Sequence, residues 1–354
     1  MKAIIIAGGF GTRLRPLTYN TPKAIMPVAN VPFLLHQIEL IKKYGIKEVI
    51  INLHYLSDSI KKALRGVKGV KLYYSIEKKP LGTAGAVKNA EEFFDDEPMV
   101  VFNGDILTDL NLRELINFHK AKKAKATLTL ARVEDPTTYG LVLMAKDKRI
   151  KEFIEKPNWE RVTTNTINAG IYVLDPKIFR EVPFRTEYSF ERQLFPKLLQ
   201  EGKRLYGYET AAYWLDIGNP VKYMEAHRAI LRQEVEVKIG GKKAGRGIWV
   251  GEGAKKGKGS KIFAPAIIGK RSTLGAGSKI HSFTVIGDNV TVGERSVINH
   301  CVIWSGTEIG DDVKISDCII GGNCEIGDGV TLAVGSVLAD GTRVGRGSQI
   351  GVKF

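Results

Sequence analysis

The chain has 354 residues, of which 44% are hydrophobic and 26% are charged, and its formal net charge is +15. This length suits two domains, and the apolar content is ample for a buried core. No apolar run reaches about 18 residues, so no transmembrane helix is expected. The basic residues are scattered, without a stripe interleaved with aromatics, so we expect polyanionic small molecules as partners, not nucleic acid or a membrane.

The cysteine pattern and the start of the chain both bear on its location. Its three cysteines include no C-x-x-C pair, which argues against a disulfide framework and against a zinc site. The chain opens directly on an apolar strand pattern, so no signal peptide is expected. Together these features predict a cytoplasmic protein.

A glycine-rich turn follows the first predicted strand, which covers residues 2–7. The turn and the next loop carry three glycines and three basic residues: Gly8, Gly9, Gly11, Arg13, Arg15 and Lys23. Glycines let a ligand touch the backbone, whose N–H groups form an anion-binding concavity. Arginine forks match phosphate oxygens. The combination favours a phosphate site over a surface turn with solvated arginines. It is not a Walker loop, and Leu14 replaces the last glycine of G-x-G-x-x-G.

Strand and helix patterns alternate over the first 132 residues. Strands are predicted at 48–53, 70–75, 97–103 and 126–132, and helices at 31–44, 57–64, 83–94 and 112–120. Asn30 and Ser57 are candidate caps for two of the helices. The alternation predicts an α/β fold with a Rossmann-like, mostly parallel sheet that has helices on both faces. Ligands of such sheets bind at the carboxyl ends of strands, where the glycine turn and Asp105 lie.

The alternation lapses after residue 135. Strand patterns follow at 141–144, 150–154 and 166–174, and helix patterns at 187–200 and 220–233. Residues 234–247 are rich in lysine and glycine and indicate a linker. We therefore expect a catalytic domain over residues 1–233, a linker over 234–247 and a second domain over 248–354.

A six-residue period governs the chain from residue 248 onward. An aliphatic residue recurs every sixth position from Ile262 to Ile350, with two slips of one residue. A small residue precedes each aliphatic by two positions, and Cys301, Cys318 and Cys324 all occupy such positions. This hexapeptide repeat predicts a triangular solenoid and resembles the left-handed parallel β-helix of the hexapeptide-repeat families. The cysteines are predicted to be buried packing groups.

Two aspartates follow apolar segments in positions suited to a metal. Asp105 ends the run Phe102–Asp105, and Asp216 lies in the run Tyr213–Gly218. Enzymes that transfer phosphoryl or nucleotidyl groups need a divalent metal, and magnesium typically takes one or two carboxylates. Taken alone, each aspartate would more often form an Asx turn or a helix cap.

The run Gly8–Thr18, followed by Pro22 and Lys23, strongly resembles the signature of the sugar-1-phosphate nucleotidyltransferases. These enzymes join a sugar phosphate to a nucleoside triphosphate and release pyrophosphate. The resemblance implies Mg²⁺ held by Asp105 and Asp216. It implies catalytic roles for Arg13, Lys23, Asp105 and Lys156. It implies nucleotide contacts at Ala7, Gly8, Gly9, Gly11, Thr12, Arg13, Pro80, Gly82, Thr83, Asn103 and Asp105. It implies sugar-phosphate contacts at Gly140, Glu155, Lys156 and Asn168.

The resemblance covers essentially the whole chain. Within the family, the mannose-1-phosphate guanylyltransferases are the most similar, in the runs Leu34–Glu39, Pro80–Gly85 and Trp214–Pro220. The expected reaction is therefore transfer of the nucleoside monophosphate from GTP to mannose-1-phosphate.

Three alternatives stay open. Family members that act on glucose-1-phosphate with dTTP or UTP share most of these motifs. The solenoid could carry a second, acyltransferase activity, with His281 or His300 as base. The chain could also be a non-catalytic regulatory subunit that binds a nucleotide sugar. The open ends and flat faces of a solenoid suit a homo-oligomer.

Overall fold

The computed structural model describes residues 1–351 and contains two compact units. The first unit comprises Met1–Gly9 and Gln37–Trp214, and the second comprises Phe10–His36 and the chain from Leu215 onward. The units do not follow the domain boundary proposed at residue 233, because the Phe10–His36 segment packs with the later part of the chain. Hereafter Phe10–His36 is called the signature segment.

A nine-stranded sheet forms the centre of the first unit. Its strands are Ala3–Ile6, Glu48–Leu53, Lys71–Ile76, Met99–Asn103, Ala126–Arg132, Gly140–Met144, Ile150–Glu155, Thr166–Leu174 and Leu205–Glu209. The first four pair in parallel, with Ala3–Ile6 between Glu48–Leu53 and Met99–Asn103. The strands after residue 135 add antiparallel pairs through Thr166–Leu174. The predicted α/β class is confirmed. The parallel pairing also places the carboxyl ends of the first four strands at the same edge of the sheet.

Apolar side chains account for the order of this sheet. Ile4, Ile50 and Val101, on neighbouring parallel strands, are completely buried, as expected for strands covered on both faces. Short strands also occur at Pro27–Val28, Val31–Pro32, Ile106–Thr108 and Trp214–Asp216. The α-helices are Phe33–Lys43, Ser57–Ala63, Gly82–Asn89, Leu112–Ala121, Phe195–Gln200 and Pro220–Arg232. None of the helices in residues 1–351 has both the length and the apolar character that a bilayer span requires.

Both predicted caps are wrong. Asn30 belongs to a hairpin turn: Ala29 and Asn30 have φ of 50° and 62°, between the paired strands Pro27–Val28 and Val31–Pro32. Two left-handed central residues are typical of a two-residue hairpin loop. Leu56, not Ser57, precedes the next helix, and it makes no side-chain cap bond.

Two other elements differ from the predicted ones. The expected helix over 187–200 begins only at Phe190, with a π-helical turn before Phe195–Gln200. The Ser189 side chain caps it by accepting hydrogen bonds from the N–H groups of Glu191 and Arg192, which fixes the start three residues late. Part of the expected linker is ordered as the strand Lys242–Gly245, which pairs with the first solenoid strand.

The later part of the second unit is a left-handed β-helix with three faces. One face contains Lys242–Gly245, Ile248–Val250, Ala266–Ile268, Thr284–Ile286, Val302–Ile303, Ile319–Ile320 and Val337–Leu338. The second contains Lys255–Lys256, Thr273–Leu274, Thr291–Val292, Glu308–Ile309, Glu325–Ile326 and Arg343–Val344. The third contains Lys261–Ile262, Lys279–Ile280, Val297–Asn299, Lys314–Ser316, Thr331–Leu332 and Gln349–Ile350.

The predicted repeat register is confirmed inside the solenoid. Ala266 pairs with Thr284, so that coil has 18 residues. Val285 pairs with Val302, and Val302 pairs with Ile319, so each of these two coils has 17 residues and is one residue shorter. These are the two slips in the sequence pattern. All three cysteines are completely buried among the aliphatic side chains, as predicted.

Acid should weaken the first unit through one buried histidine. His119 is 3% exposed and its Nδ1 lies 2.9 Å from Thr127 Oγ1. Burial lowers the pKa of His119 to about 4. The unfolded chain binds this proton more readily, so the stabilisation is complete above pH 6.5 and declines as the pH falls toward 4. The full loss, reached below pH 4, is about 3 kcal/mol, of which about 2 kcal/mol falls between pH 6.5 and pH 4.5. Denaturant unfolding at pH 6.5 and 4.5 should show a smaller loss in His119→Gln than in the parent and in His281→Gln; equal losses would contradict the assignment.

Candidate functional site

The glycine turn leaves the first strand with an accessible backbone. Ala7 N donates to Asn52 O over 2.9 Å, which holds the end of the strand in the sheet. A methyl group on Gly8 would lie 3.2 Å from His54 Cβ, whereas one on Gly9 would meet no atom within 4 Å. A ligand could therefore approach the backbone most closely at Gly9.

Asp105 is held at the end of the neighbouring strand by Gly104, where a side chain would collide with backbone. Gly104 N donates to Ile6 O over 2.9 Å, and a methyl group on Gly104 would overlap that carbonyl oxygen. This contact places the half-buried Asp105 directly beyond the strand end that adjoins Ala7. Within the first unit, the structure therefore brings the Gly104–Asp105 pair next to the start of the glycine turn.

The predicted sugar-side motif reaches the same edge of the sheet. Gly170 has φ of +71°, and a methyl group on it would lie 2.6 Å from Asn103 Nδ2. Only glycine fits both this backbone conformation and this approach. The Asn168–Gly170 motif and the Asn103–Asp105 motif are thus in contact.

The loop that opens the Gly82–Asn89 helix is fixed from two sides. A methyl group on Gly82, whose φ is +70°, would lie 2.9 Å from Tyr188 O. Leu81 N donates to Glu77 Oε2 over 3.0 Å, and burial raises the pKa of Glu77. The exposed Pro80 and the adjacent Thr83 therefore lie on a loop with a defined backbone.

Glu155 and Lys156 lie beside Gly140, and all three are predicted sugar-phosphate contacts. Glu155 pairs with Gly140 across the strands, and a methyl group on Gly140 would lie 2.9 Å from Glu155 Oε2. Lys156 N donates to Tyr139 O over 2.9 Å, and the exposed Lys156 adopts φ of +48°. Burial, followed by the nearby charge of Glu191, raises the pKa of Glu155.

Glu191, which no sequence motif predicted as a site residue, connects the predicted nucleotide and sugar segments. Thr83 Oγ1 donates to Glu191 Oε2 over 3.0 Å, and Tyr172 OH donates to Glu191 Oε1 over 3.2 Å. Asn168 Nδ2 in turn donates to Tyr172 OH over 2.8 Å. The run Ser189–Glu191 looks like an ordinary helix start, so its local signal indicates only a cap.

In the second unit, Lys23 packs beside Gly11. The residues from Gly11 to Arg15 are called the glycine–arginine turn below. Gly11 has φ of +64°, and a methyl group on it would lie 3.0 Å from Thr18 Cγ2 and 3.2 Å from Lys23 Cβ. Thr18 Oγ1 donates to Gly11 O over 2.8 Å. The exposed Thr12 starts the short 3-10 turn that follows. The turn and Lys23 therefore form one packed group.

Asp216 and Arg13 border the same glycine in that unit. Asp216 is 8% exposed, and its Oδ1 forms an ion pair with Lys222. A methyl group on Gly218 would lie 2.7 Å from Asp216 Oδ2 and 3.3 Å from Arg13 Nη2. The Arg13 guanidinium and the Asp216 carboxylate therefore both lie beside Gly218.

Arg15, which the sequence offers as a phosphate ligand but not as a catalytic residue, has a different environment from Arg13. Its guanidinium lies over the Tyr19 ring, 5.2 Å from the ring centroid. A cation on an aromatic face is directed by that ring. Of the two arginines, the exposed Arg13 is therefore the better candidate for a phosphate ligand.

The predicted metal ligands have the right chemistry for magnesium. Carboxylate oxygens are the protein ligands that this ion prefers, usually one or two of them with the remaining positions left for substrate and water. Asp105 is half-buried, and Asp216 is held in place by Lys222. The shared binding of one ion by Asp105 and Asp216 stays a prediction.

The two histidines of the acyltransferase alternative have contacts within the solenoid. The His281 ring stacks on Phe263, with centroids 4.8 Å apart. His300 Nδ1 lies 3.6 Å from Asp317, whose carboxylate also accepts a 2.9 Å bond from Arg228. These contacts account for both side chains as packing and surface groups.

Replacing Gly104 should damage the strand end that carries Asp105. Gly104→Ala places a methyl group against the Ile6 carbonyl, so the loop must shift, and we expect a loss of about 1–3 kcal/mol of stability. Gly9→Ala, where the new methyl group meets nothing within 4 Å, is the matched control and should keep the parent melting temperature. Thermal unfolding of the three proteins measures this; equal melting temperatures for Gly104→Ala and the parent would show that the contact is soft.

Comparison with known families finds two matches that together span most of the chain. The model of the family described as "Nucleotidyl transferase" matches residues 2–233. The model described as "EIF2B subunit epsilon LbH domain" matches residues 246–350. All the predicted site residues fall within the first match.

Similar curated and solved proteins cover the same region. A mannose-1-phosphate guanylyltransferase catalytic subunit beta from Danio rerio is 39% identical over 230 residues, 63% of this chain and 63% of that protein. A mannose-1-phosphate guanyltransferase from Candida albicans is 38% identical over 231 residues, with the same shares. The aligned region thus spans 63% of the length of these relatives. The structure of HddC from Yersinia pseudotuberculosis complexed with GMP-PN is 30% identical, covers 65% of this chain and 99% of that one, and has a TM-score of 0.57.

Proposed function

Because this chain belongs to the nucleotidyl transferase family, we propose that it transfers a nucleoside monophosphate from a nucleoside triphosphate to a sugar-1-phosphate and releases pyrophosphate. The favoured substrates are GTP and mannose-1-phosphate, and the favoured product is GDP-mannose. A phosphate oxygen of the sugar attacks the α-phosphorus in line, the bond to the pyrophosphate breaks, and no covalent enzyme intermediate is needed.

The chain's own residues orient the two phosphate groups. The backbone of the glycine turn and Arg13 bind the triphosphate, and Lys23 adds charge beside the same turn. Lys156 positions the attacking phosphate, and Gly140, Glu155 and Asn168 line the sugar pocket. Mg²⁺, held by Asp105 and Asp216, would neutralise phosphate charge. Positioning and charge neutralisation are what transfer to phosphorus mainly requires.

One observation carries the proposal furthest. Arg13 and Asp216, which are 203 positions apart in the sequence, border Gly218 together, and Lys23 packs against Gly11 in the same unit. A carboxylate beside a guanidinium, with a lysine packed against the turn that carries the guanidinium, suits a metal-bound polyphosphate better than a neutral ligand.

The choice of guanosine and mannose rests on the relatives and on one loop. Curated relatives 38–39% identical are named for mannose-1-phosphate and guanylyl transfer. The Pro80–Gly85 loop has the form found in the guanylyltransferases, and its backbone is fixed by Glu77 and Tyr188. A fixed loop of this kind supports recognition of one base edge.

A substrate panel tests the proposal. Purified chain with magnesium should release pyrophosphate fastest from GTP with mannose-1-phosphate, in a grid of GTP, dTTP, UTP and ATP against mannose-, glucose- and N-acetylglucosamine-1-phosphate. The fastest release from dTTP or UTP with glucose-1-phosphate would favour the first alternative. No release from any pair would favour a regulatory subunit, and acetyl transfer from acetyl-CoA to an amino-sugar phosphate would favour a bifunctional chain.

We also propose self-association through the β-helix. Its repeated flat faces and its ends suit symmetric contacts between copies. Light scattering on the purified chain should give a mass of at least two chains of 39.1 kDa each. A mass of one chain would contradict the proposal.

A further inference from the structure

Within the second unit, hydrogen bonds from Thr21 and Asn30 attach the signature segment to the β-helix. Thr21 Oγ1 donates to Asp340 Oδ2 over 2.9 Å. Asn30 Nδ2, at the tip of the hairpin, donates to Ile286 O over 2.7 Å. One bond engages a solenoid carboxylate and the other a solenoid carbonyl, so only the first depends on the identity of a solenoid side chain.

Asp340 accepts two hydrogen bonds, and only one of them is of a kind that other solenoid aspartates also accept. Four solenoid aspartates accept a backbone hydrogen bond from the preceding coil: Asp288, Asp311, Asp328 and Asp340. Their Oδ1 atoms lie 2.7–2.9 Å from the N atoms of Lys270, Glu294, Asp311 and Gly322. The second oxygens of Asp311 and Asp328 lie 3.8 Å from exposed arginines. Of the four, Asp340 is the one whose second oxygen binds the signature segment.

Thr21 is joined to Lys23, which is proposed to bind the triphosphate, through a single proline. Pro22 follows with φ of −57°, fixed by its ring, and Lys23 begins the 3-10 turn Lys23–Ile25. Lys23 Cβ packs against Gly11 of the glycine–arginine turn. A displacement of Thr21 would therefore move Lys23 and loosen its contact with that turn.

We propose that Asp340 is a positioning residue: through Thr21 it holds the Pro22–Lys23 segment so that Lys23 faces the triphosphate. The catalytic consequence rests on the proposed function, whereas the attachment itself does not. The β-helix would then contribute indirectly to nucleotide binding, through one carboxylate near its last coils, in addition to any role in assembly.

Hydrogen exchange on the full chain tests the attachment without substrate. Ile25 N and Met26 N are bonded to Pro22 O and Lys23 O over 3.0 and 3.2 Å, so their exchange reports on this turn. Thr21→Val and Asp340→Ala should each speed exchange in the 21–26 peptide by about tenfold, the usual value of a hydrogen bond to a charged group. The double variant should be no faster than Asp340→Ala, and Thr21→Ser should restore the parent rate.

Asp328→Ala is the matched control, because it loses the same type of backbone bond to the preceding coil. It should leave exchange in the 21–26 peptide unchanged. Unchanged exchange in Thr21→Val, or equal acceleration in Asp328→Ala, would overturn the inference.

Steady-state kinetics separate positioning from stability. Thr21→Val and Asp340→Ala should raise KM for the nucleoside triphosphate about tenfold, with kcat within about twofold of the parent; Thr21→Ser and Asp328→Ala should change neither. Faster exchange with unchanged KM would overturn the positioning role. A parent chain that releases no pyrophosphate with any substrate pair would overturn the proposed function instead, and the exchange result would then decide the attachment alone.

Discussion

Asp105→Asn is expected to fold like the parent and to lose turnover by at least about 100-fold, the usual range for removing a group that stabilises charge at the reacting phosphate. The amide is isosteric with the carboxylate, and the Gly104–Ile6 contact that shapes the loop is unaffected. The loss should come from the missing negative charge, because magnesium sites of this kind typically use one or two carboxylates. Initial rates of pyrophosphate release, with the melting temperature measured in parallel, provide the test.

A distant aspartate supplies the control for this variant. Asp147 lies in an exposed turn, where its Oδ1 accepts a 3.1 Å bond from Arg149 N, and Asn at this position can accept the same bond. Asp147→Asn should therefore keep the parent rate. Near-parent turnover in Asp105→Asn would remove Asp105 from the metal site, and a lowered melting temperature in Asp105→Asn alone would assign it a structural role.

Arg13→Gln should lose about 100-fold in kcat/KM for the nucleoside triphosphate, because a guanidinium bound to phosphate contributes several charge-assisted hydrogen bonds. Arg15→Gln, two residues on in the same turn, should lose far less, because that guanidinium lies over Tyr19. Initial rates over a range of triphosphate concentrations distinguish the two variants. Equal losses would show that the Tyr19 contact gives way when nucleotide binds.

The parts of the fold that the sequence predicted correctly depend on short-range patterns. Short apolar runs and the six-residue period identify the side chains that must face inward, so the sheet strands and the solenoid register followed directly, including both one-residue slips. The buried cysteines followed from the same register. The wrong caps at Asn30 and Ser57 show the limit, because a cap depends on backbone angles that the residue type does not determine.

The contacts that organise the candidate site are long-range and carry no local signal. Glu191 bonds to Thr83, 108 positions away, and the run around it reads as an ordinary helix start. Thr21 and Asp340 are 319 positions apart, and neither residue type indicates the other. Residue type makes both Arg13 and Arg15 candidate phosphate ligands, and the position of Tyr19 adds a physical reason to separate them.

The two attachments of the signature segment lie at different levels of the solenoid. Ile286 and Leu338, which precedes Asp340 by two residues, are on the same face and three coils apart. Adjacent strands are about 4.8 Å apart, so the two attachments are separated by roughly 14 Å along the solenoid axis. A protein of this design that gained or lost a whole coil between these positions would misalign one attachment. Coils added outside this interval would leave the spacing between the two attachments unchanged, so the interval from Ile286 to Asp340 acts as a fixed spacer for the signature segment.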